Sequence, residues 1–468
     1  MFFRRFGTVA LAAWCASMLA VGPAHAQSPD TAPTAPVRLA TPVLSVRRAP
    51  EFLVAPTADR RLQQVVDKVR EAAPETSCIS VVDGDRKVVD INTTASLTPA
   101  SLQKLLTATA LVDRVGADTV FTTRVVARAP ASSGVIDGDV WLVGAGDPIL
   151  TTKGYQQAFE DQAQAWTDLA SLADAVAASG VTRIRGNLVG DDSRFDQERY
   201  FSGWPTRYQR QDQVGPLSAL TVNDGVTGYA NSPDEPTGAR RPGDPPVLAA
   251  ETLRTLLADR GVVVEGTASA GRAPTDITEV AHLDSLPVTG LVGEMLAESD
   301  NTTAEILLKE LGVRAGTAGS TSAGAEVVRS ALADRNLPLD GVVIHDGSGL
   351  DEDDRVTCQL ISTLLIQHGP DSAVANGLPV AGQSGTLRKR LGDTPAEGRV
   401  RAKTGTLNTV FSLAGWATGS DDRPLAFTAI LNGTVPGGVA LLDELAVALA
   451  EYPQRPDPAT VSPRPVQS

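Results

Sequence analysis

The chain has 468 residues, with 42% hydrophobic and 21% charged side chains. That is an ordinary globular composition, long enough for two or three domains. Its 41 basic and 55 acidic residues give a formal charge of −14, which argues against nucleic acid or anionic lipid as the principal partner.

Arg4 and Arg5 precede an apolar run from Val9 to Val21, and Ala24-His25-Ala26 then supplies small residues around a cleavage point. The pattern predicts a secretory signal over residues 1–26, export across the cytoplasmic membrane to the envelope or beyond, and a mature chain starting near Gln27. The run is short for a retained anchor, and no later stretch is long and apolar enough to span a bilayer. Residues 27–55 are rich in Pro, Ala and Thr and read as a flexible N-terminal segment. A helix is predicted from Ala58 to Ala73, with Leu62, Val65, Val66 and Val69 on one face. Cys78–Val82 and Lys87–Ile91 flank Asp83-Gly84-Asp85 as strand, turn and strand. Thr98-Pro99 then reads as a helix start, with Thr98 as N-cap and Pro99 at the first helical position.

From residue 121 to 268 strand-like runs such as Thr123–Ala127 and Val140–Val143 alternate with Gly/Asp turns. A helix is predicted over Thr167–Ala178, and the Pro and Gly residues between Pro233 and Pro246 predict a loop. Leu291–Glu298 and Thr303–Leu311 read as two helices separated by Ser299-Asp300-Asn301, with Gly312 ending the second. Arg399–Gly405, Val410–Ala417 and Leu425–Leu431 read as sequential antiparallel strands, closed over by an amphipathic helix at Val439–Ala450. Helices at both ends and a late sheet imply one discontinuous domain, residues 56–120 and 269–455, split by an inserted α+β region at 121–268. Residues 456–468 form a tail. After signal cleavage two cysteines remain, Cys78 and Cys358; oxidising surroundings allow a disulfide, and two separate buried thiols are the alternative. His282, His345 and His368 are scattered, and no Cys/His cluster has metal-ligand spacing, so neither metal nor cofactor is expected.

Three short motifs carry the chemistry: Ser101-Leu102-Gln103-Lys104, Ser299-Asp300-Asn301, and Lys403-Thr404-Gly405 followed by Thr406. Positions i and i+3 share a helix face, so Lys104 lies beside Ser101. A serine hydroxyl is a weak nucleophile until a base takes its proton, and a lysine is that base only when desolvation and nearby positive charge, here from Lys403, lower its pKa. The first turn of a helix favours developing negative charge, which makes the Ser101 N–H an oxyanion donor. A strand edge carrying Lys403–Thr406 suits pairing with an extended peptide: Gly405 permits close approach, the Thr406 N–H is a second oxyanion donor, and Lys403, Thr404 and Thr406 hold a terminal carboxylate. Each motif alone is weak, and Ser299-Asp300-Asn301 alone reads as an N-cap; the three in this order form the signature of serine penicillin-recognising enzymes.

With these motifs the chain resembles the penicillin-binding protein 4 type of D-alanyl-D-alanine carboxypeptidase/endopeptidase, the peptidase S13 family. Gly144-Ala145-Gly146-Asp147-Pro148, Gly186-Asn187-Leu188, Asp191–Asp196, Pro216–Thr221, Asp346–Leu350 and Gly385-Thr386-Leu387-Arg388 add to the resemblance, which covers roughly residues 56–452. It implies an α+β fold: a DD-peptidase/β-lactamase-like transpeptidase domain, an antiparallel sheet flanked by helices, split by an insert. It implies Ser101 as nucleophile, Lys104 as proton acceptor, Ser299 and Asn301 in proton relay and substrate amide binding, and Lys403, Thr404 and Thr406 on the substrate. Peptidoglycan stem peptides would be the substrate and β-lactams covalent inhibitors. One departure bears on selectivity. Where relatives follow D-G-S-G-L with Ser-Arg-x-Asn, this chain has Asp351-Glu352-Asp353-Asp354. Glu352 replaces an arginine that would contact an acidic group of the stem peptide, and Arg355 stands three positions later. Two other readings of the same motifs are a penicillin-binding sensor without turnover and a serine β-lactamase; the full set of motif residues argues against the first, and the missing E-x-x-L-N segment against the second.

Overall fold

The computed structural model describes residues 50–158, 165–229 and 241–454. The expected signal segment, residues 27–49, most of the predicted Pro/Gly loop and the tail lie outside the described residues. Five antiparallel strands form the main sheet, in the order Val400–Leu407, Val410–Thr418, Pro424–Asn432, Ser77–Asp83, Arg86–Ile91. Register follows the side-chain alternation: Cys78 faces Ile430, and Ile79 faces Ala429. All seven residues of Ser77–Asp83 are buried because helices cover both sheet faces. On one face Ile79, Val81, Leu413 and Phe427 pack with Leu62, Val66 and Val69 of the Pro50–Ala72 helix and Leu442 and Leu445 of the Gly438–Glu451 helix. On the other, Cys78, Ala414 and Ile430 pack with the Gln103–Arg114, Val288–Ala297, Asn301–Arg314 and Cys358–His368 helices. Each fully buried Leu or Phe contributes about 1.5–3 kcal/mol, so Phe427→Ala would weaken the layer by about 3–5 kcal/mol. The molecule is thus an α+β fold with an antiparallel sheet between helices.

Cys78 and Cys358 are joined in a disulfide, with Cα atoms 6.1 Å apart. It ties the sheet to the N-terminus of the Cys358–His368 helix, where Thr357 is the N-cap.

A second five-stranded sheet is built wholly within residues 122–284. Its order is Ala268–Ala270, Leu188–Asp191, Val140–Val143, Thr122–Ala127, Thr278–Asp284, and the Leu169–Ala178 and Pro245–Ala258 helices cover it. The last strand pairs with Thr122–Ala127, so this sheet runs past residue 268, where the insert was expected to end. Strand Thr278–Asp284 is mostly exposed, and its polar residues carried no clear alternation.

Three local expectations are corrected. Pro245 and Pro246 open a helix, where a first-turn proline loses no hydrogen bond. Gly312 lies inside the Asn301–Arg314 helix; it is small because a Cβ there would sit 2.3 Å from the Ala318 carbonyl. Thr98 is not an N-cap. The helix that carries Lys104 is preceded by a 3-10 turn, Ala100–Leu102, with no side-chain cap, and the Thr98 hydroxyl accepts from Arg355 Nη1 at 3.0 Å.

Candidate active site

The three motifs meet around Ser101 and Lys104. Lys104 Nζ lies 3.1 Å from Ser101 Oγ, 2.6 Å from Asn301 Oδ1 and 2.8 Å from the Ser348 carbonyl. Ser101 is half-buried within the 3-10 turn, and Ala100, before it, takes a left-handed φ of 49°. Such a backbone costs about 1–2 kcal/mol in an L-residue. The turn is pressed from the other side by Gly349, where a Cβ would fall 1.9 Å from the Ala100 carbonyl; with φ +81° the position requires glycine.

Asn301 arrives by a capping arrangement that the sequence placed one residue late. Asp300 is the N-cap, its Oδ1 accepting from the Thr303 N–H at 2.6 Å, and Asn301 is the first helical residue. Its side chain is thereby released to Lys104 through Oδ1 and to the Gln213 carbonyl through Nδ2, at 2.7 Å. Ser299, at φ 60°, lines a cavity of about 210 Å³ with Asp300, Asn301 and Gln213; Lys104 bonds to Asn301 rather than to Ser299.

Lys403 and Gly405 share a strand face turned toward Ser101. A Cβ on Gly405 would meet Ser412 Oγ at 2.2 Å and the Ser101 nitrogen at 3.0 Å. The Ser412 hydroxyl also donates to the Pro99 carbonyl at 2.9 Å, clamping the strand to the turn. Strand Val400–Leu407 is a sheet edge whose first half is covered: the Ala402 N–H donates to the Pro379 carbonyl. By alternation the N–H groups of Thr404 and Thr406 face the same outer side, beyond that cover. The Thr404 hydroxyl donates to Thr386 Oγ1 at 2.8 Å, and Thr406 is exposed. Lys403 is fully buried and donates to the Thr404 carbonyl at 2.8 Å.

Burial pulls the Lys104 ammonium down to about 8, while Asp346, Glu305 and Asp300 pull it back up. Desolvation is the first cause that fits Lys104 to act as a base. Lys403 is itself held well below the usual lysine range, by burial first and then by the charge of Lys104. A neutral Lys104 has two N–H bonds and one lone pair. Asn301 Oδ1 and the Ser348 carbonyl accept the two N–H groups, which leaves the lone pair directed at the Ser101 hydroxyl.

Glu352 is not alone at the rim. Its carboxylate pairs with Arg207 and accepts from Tyr208 Oη at 3.2 Å. Arg355 is committed elsewhere, to Thr98 Oγ1 and to the carbonyls of Glu352 and Asp354. Arg207, Tyr208 and Gln213 belong to the segment after the Leu188–Asp191 strand, which reaches back to the site; Trp204 Nε1 donates to Asp346 Oδ2 at 2.8 Å. Sequence reading missed these residues, and nothing in their local pattern marks them. Ser348 and Thr386 were visible only as parts of motifs without roles. A separate cleft of about 750 Å³ lies among Arg124, Arg194, Arg272 and Arg314; no residue of the three catalytic motifs lines it, although Gly144, Ala145, Asp191 and Ser193 do.

This fold and this meeting of motifs define a peptidase of the penicillin-binding type. Residues 60–241 and 226–444 match the D-Ala-D-Ala carboxypeptidase 3 (S13) family, and the chain belongs to that family. It is 32% identical over 448 residues to a D-alanyl-D-alanine carboxypeptidase of Actinomadura sp. (strain R39), covering 79% of this chain and 80% of the relative. It is 30% identical over 367 residues to a carboxypeptidase of Mycobacterium tuberculosis, covering 75% of each. Penicillin binding protein 4 of Haemophilus influenzae shares the fold, with TM-score 0.68 and 22% identity over 82% of this chain and 98% of that one; it has also been solved with a β-lactam. The chain is therefore a hydrolase of the penicillin-binding protein 4 type.

Proposed function

We propose that the chain is an exported DD-peptidase that hydrolyses the amide following a D-Ala residue in peptidoglycan stem peptides, through an ester on Ser101. The contact between Lys104 Nζ and Ser101 Oγ, with two acceptors fixing the remaining N–H groups, carries this reading. Neutral Lys104 takes the Ser101 proton as Oγ attacks the D-Ala carbonyl carbon. The oxyanion sits between the N–H groups of Ser101 and Thr406. The proton then passes to the leaving amine, through Lys104 and the Ser299 side of the site, and the C–N bond breaks. Water next attacks the ester carbonyl, its proton returns to Ser101 Oγ, and the acid is released. The leaving amine is a terminal D-Ala in a carboxypeptidase and a cross-linked side chain in an endopeptidase. Thr404, Thr406 and Lys403 face the terminal carboxylate, and Glu352 with Arg207 forms the rim toward the stem side chain. β-Lactams acylate Ser101 by the same attack. The names of the Actinomadura and Haemophilus proteins support this reading.

A fluorescent penicillin tests it: peptide mass spectrometry should place the label on Ser101, and Ser101→Ala should abolish labelling. A label on another serine overturns the assignment. Release of D-Ala from a D-Ala-D-Ala peptide, absent in Ser101→Ala, separates an enzyme from a binding protein without turnover.

A further inference from the structure

We propose that Glu305 is a positioning residue for Lys104: by fixing the Ser348 carbonyl it aims the lone pair of the lysine at Ser101. The inference rests on Lys104 being the base.

The Ser348 carbonyl belongs to the loop Asp346-Gly347-Ser348-Gly349, which is wedged between two helices. From the nucleophile's helix, Gln103 Nε2 donates to the Asp346 carbonyl at 3.1 Å and Thr107 Oγ1 to the Gly347 carbonyl at 2.8 Å. From the opposite helix, Glu305 Oε1 accepts two successive backbone N–H groups, Gly347 at 3.0 Å and Ser348 at 2.7 Å. Asn301 and Glu305 are four residues apart and share a helix face. One helix therefore sets both acceptors that orient Lys104: Asn301 directly, and the Ser348 carbonyl through Glu305. Asp346 holds the same loop from within, its Oδ1 accepting from Ser348 and Gly349.

A fully buried glutamate is an expensive way to hold a loop when, among the described residues, its side chain has no cation as direct partner. Its Oε2 has no hydrogen-bond partner among the described residues. Burial, and then the negative charge of Asp346, push its carboxyl up to about 8. Behind Asp346 lie Asp354, raised by burial and by Asp346, and Asp351, raised by burial and facing His345. The charges facing Lys104 are Asp346, Glu305 and Asp300, with Lys403 across the cleft. Glu305 thus has two separable effects. Its oxygen anchors the loop in either protonation state, and its ionised form favours the ammonium over the free base.

The two effects are separated by Glu305→Gln and Glu305→Ala, read by the second-order rate of acylation with a fluorescent penicillin across pH. The amide oxygen of glutamine still accepts from Gly347 and Ser348, whereas alanine leaves the Gly347 N–H buried without its acceptor and the Ser348 N–H with only its longer bond to Asp346 Oδ1, at 3.1 Å. Glu305→Ala should acylate about 10²-fold more slowly, the scale of a misplacement of about 1 Å. Glu305→Gln should recover most of that loss and move the acid limb of the profile to lower pH, because the carboxylate that favours the ammonium is gone. A role confined to stability would leave that limb in place. Circular dichroism checks that each variant is folded, and Glu305→Gln alone suffices if Glu305→Ala is not. An unmoved limb in Glu305→Gln, or equal rates for the two variants, overturns the proposal. Failure of the wild type to label at Ser101 would instead overturn the reading on which it rests.

Discussion

The Cα of Gly405 faces the backbone nitrogen of Ser101 so closely that a Cβ on it would lie 3.0 Å from that nitrogen and 2.2 Å from Ser412 Oγ. No other side chain fits between strand and nucleophile. Gly405→Ala should push the Val400–Leu407 edge away from the Ser101 turn and separate the two oxyanion donors. The acylation rate should fall by about 10²-fold while the fold persists. A burst experiment with a chromogenic β-lactam measures it, and a rate within about threefold of wild type would contradict the geometry.

In the proposed mechanism Lys104 acts as the free base and so sets the pH dependence. Burial brings its pKa down to about 8. Acylation should therefore be slow at low pH, rise through about 8 and level off above it, whereas an ordinary exposed lysine would place the rise above 10. Lys104→Ala should remove the limb together with the reaction. A profile already flat below about pH 7 would assign the base elsewhere.

The disulfide joins residues 280 positions apart, so it removes much conformational freedom from the unfolded chain. Replacing both Cys78 and Cys358 by alanine should lower stability by about 5–6 kcal/mol in the chain-entropy model. Urea denaturation of the two proteins measures the difference. Because both sulfurs are fully buried, mild reductant should leave the native protein oxidised.

Arg207 offsets the charge of Glu352 at the rim. The wild type should therefore discriminate only weakly between stem peptides carrying a free side-chain carboxylate and those carrying its amide. Arg207→Ala exposes the negative charge and should shift kcat/KM toward the amidated peptide by about two- to fivefold, the scale of an exposed ion pair. Glu352→Arg should shift it the other way. An identical ratio in all three proteins would show that neither side chain reads the substrate.

The main sheet and the pairing of Ser101 with Lys104 were legible because their patterns are local. Val410–Ala417 and Leu425–Leu431 are runs of apolar residues, and Ser101 and Lys104 are one helical turn apart. Ser299-Asp300-Asn301 was legible as a motif, but its capping role was assigned to the wrong residue: Asp300 and Asn301 are both good N-caps, and only the structure shows that Lys104 claims the asparagine. Thr98 failed as a cap for a similar reason, since Arg355 and Asn432, both distant in sequence, engage its side chain and backbone. Gln213 contributes a carbonyl to the site, and a backbone atom leaves no trace in residue type. Glu305 looked like any helical glutamate, because what distinguishes it is burial.

The strand Ser77–Asp83 lies early in the chain, and one of its two sheet neighbours, Pro424–Asn432, lies near the end. Main-sheet assembly is therefore a late event that waits on contacts of very long sequence separation, which slows folding. The sheet of residues 122–284 has no such dependence and can form while the main sheet is still open. A chain truncated before Pro424 would leave seven apolar-flanked positions of Ser77–Asp83 without their pairing strand. That bare edge is a template for association between copies, so loss of the C-terminal strands should produce aggregation rather than a smaller soluble protein.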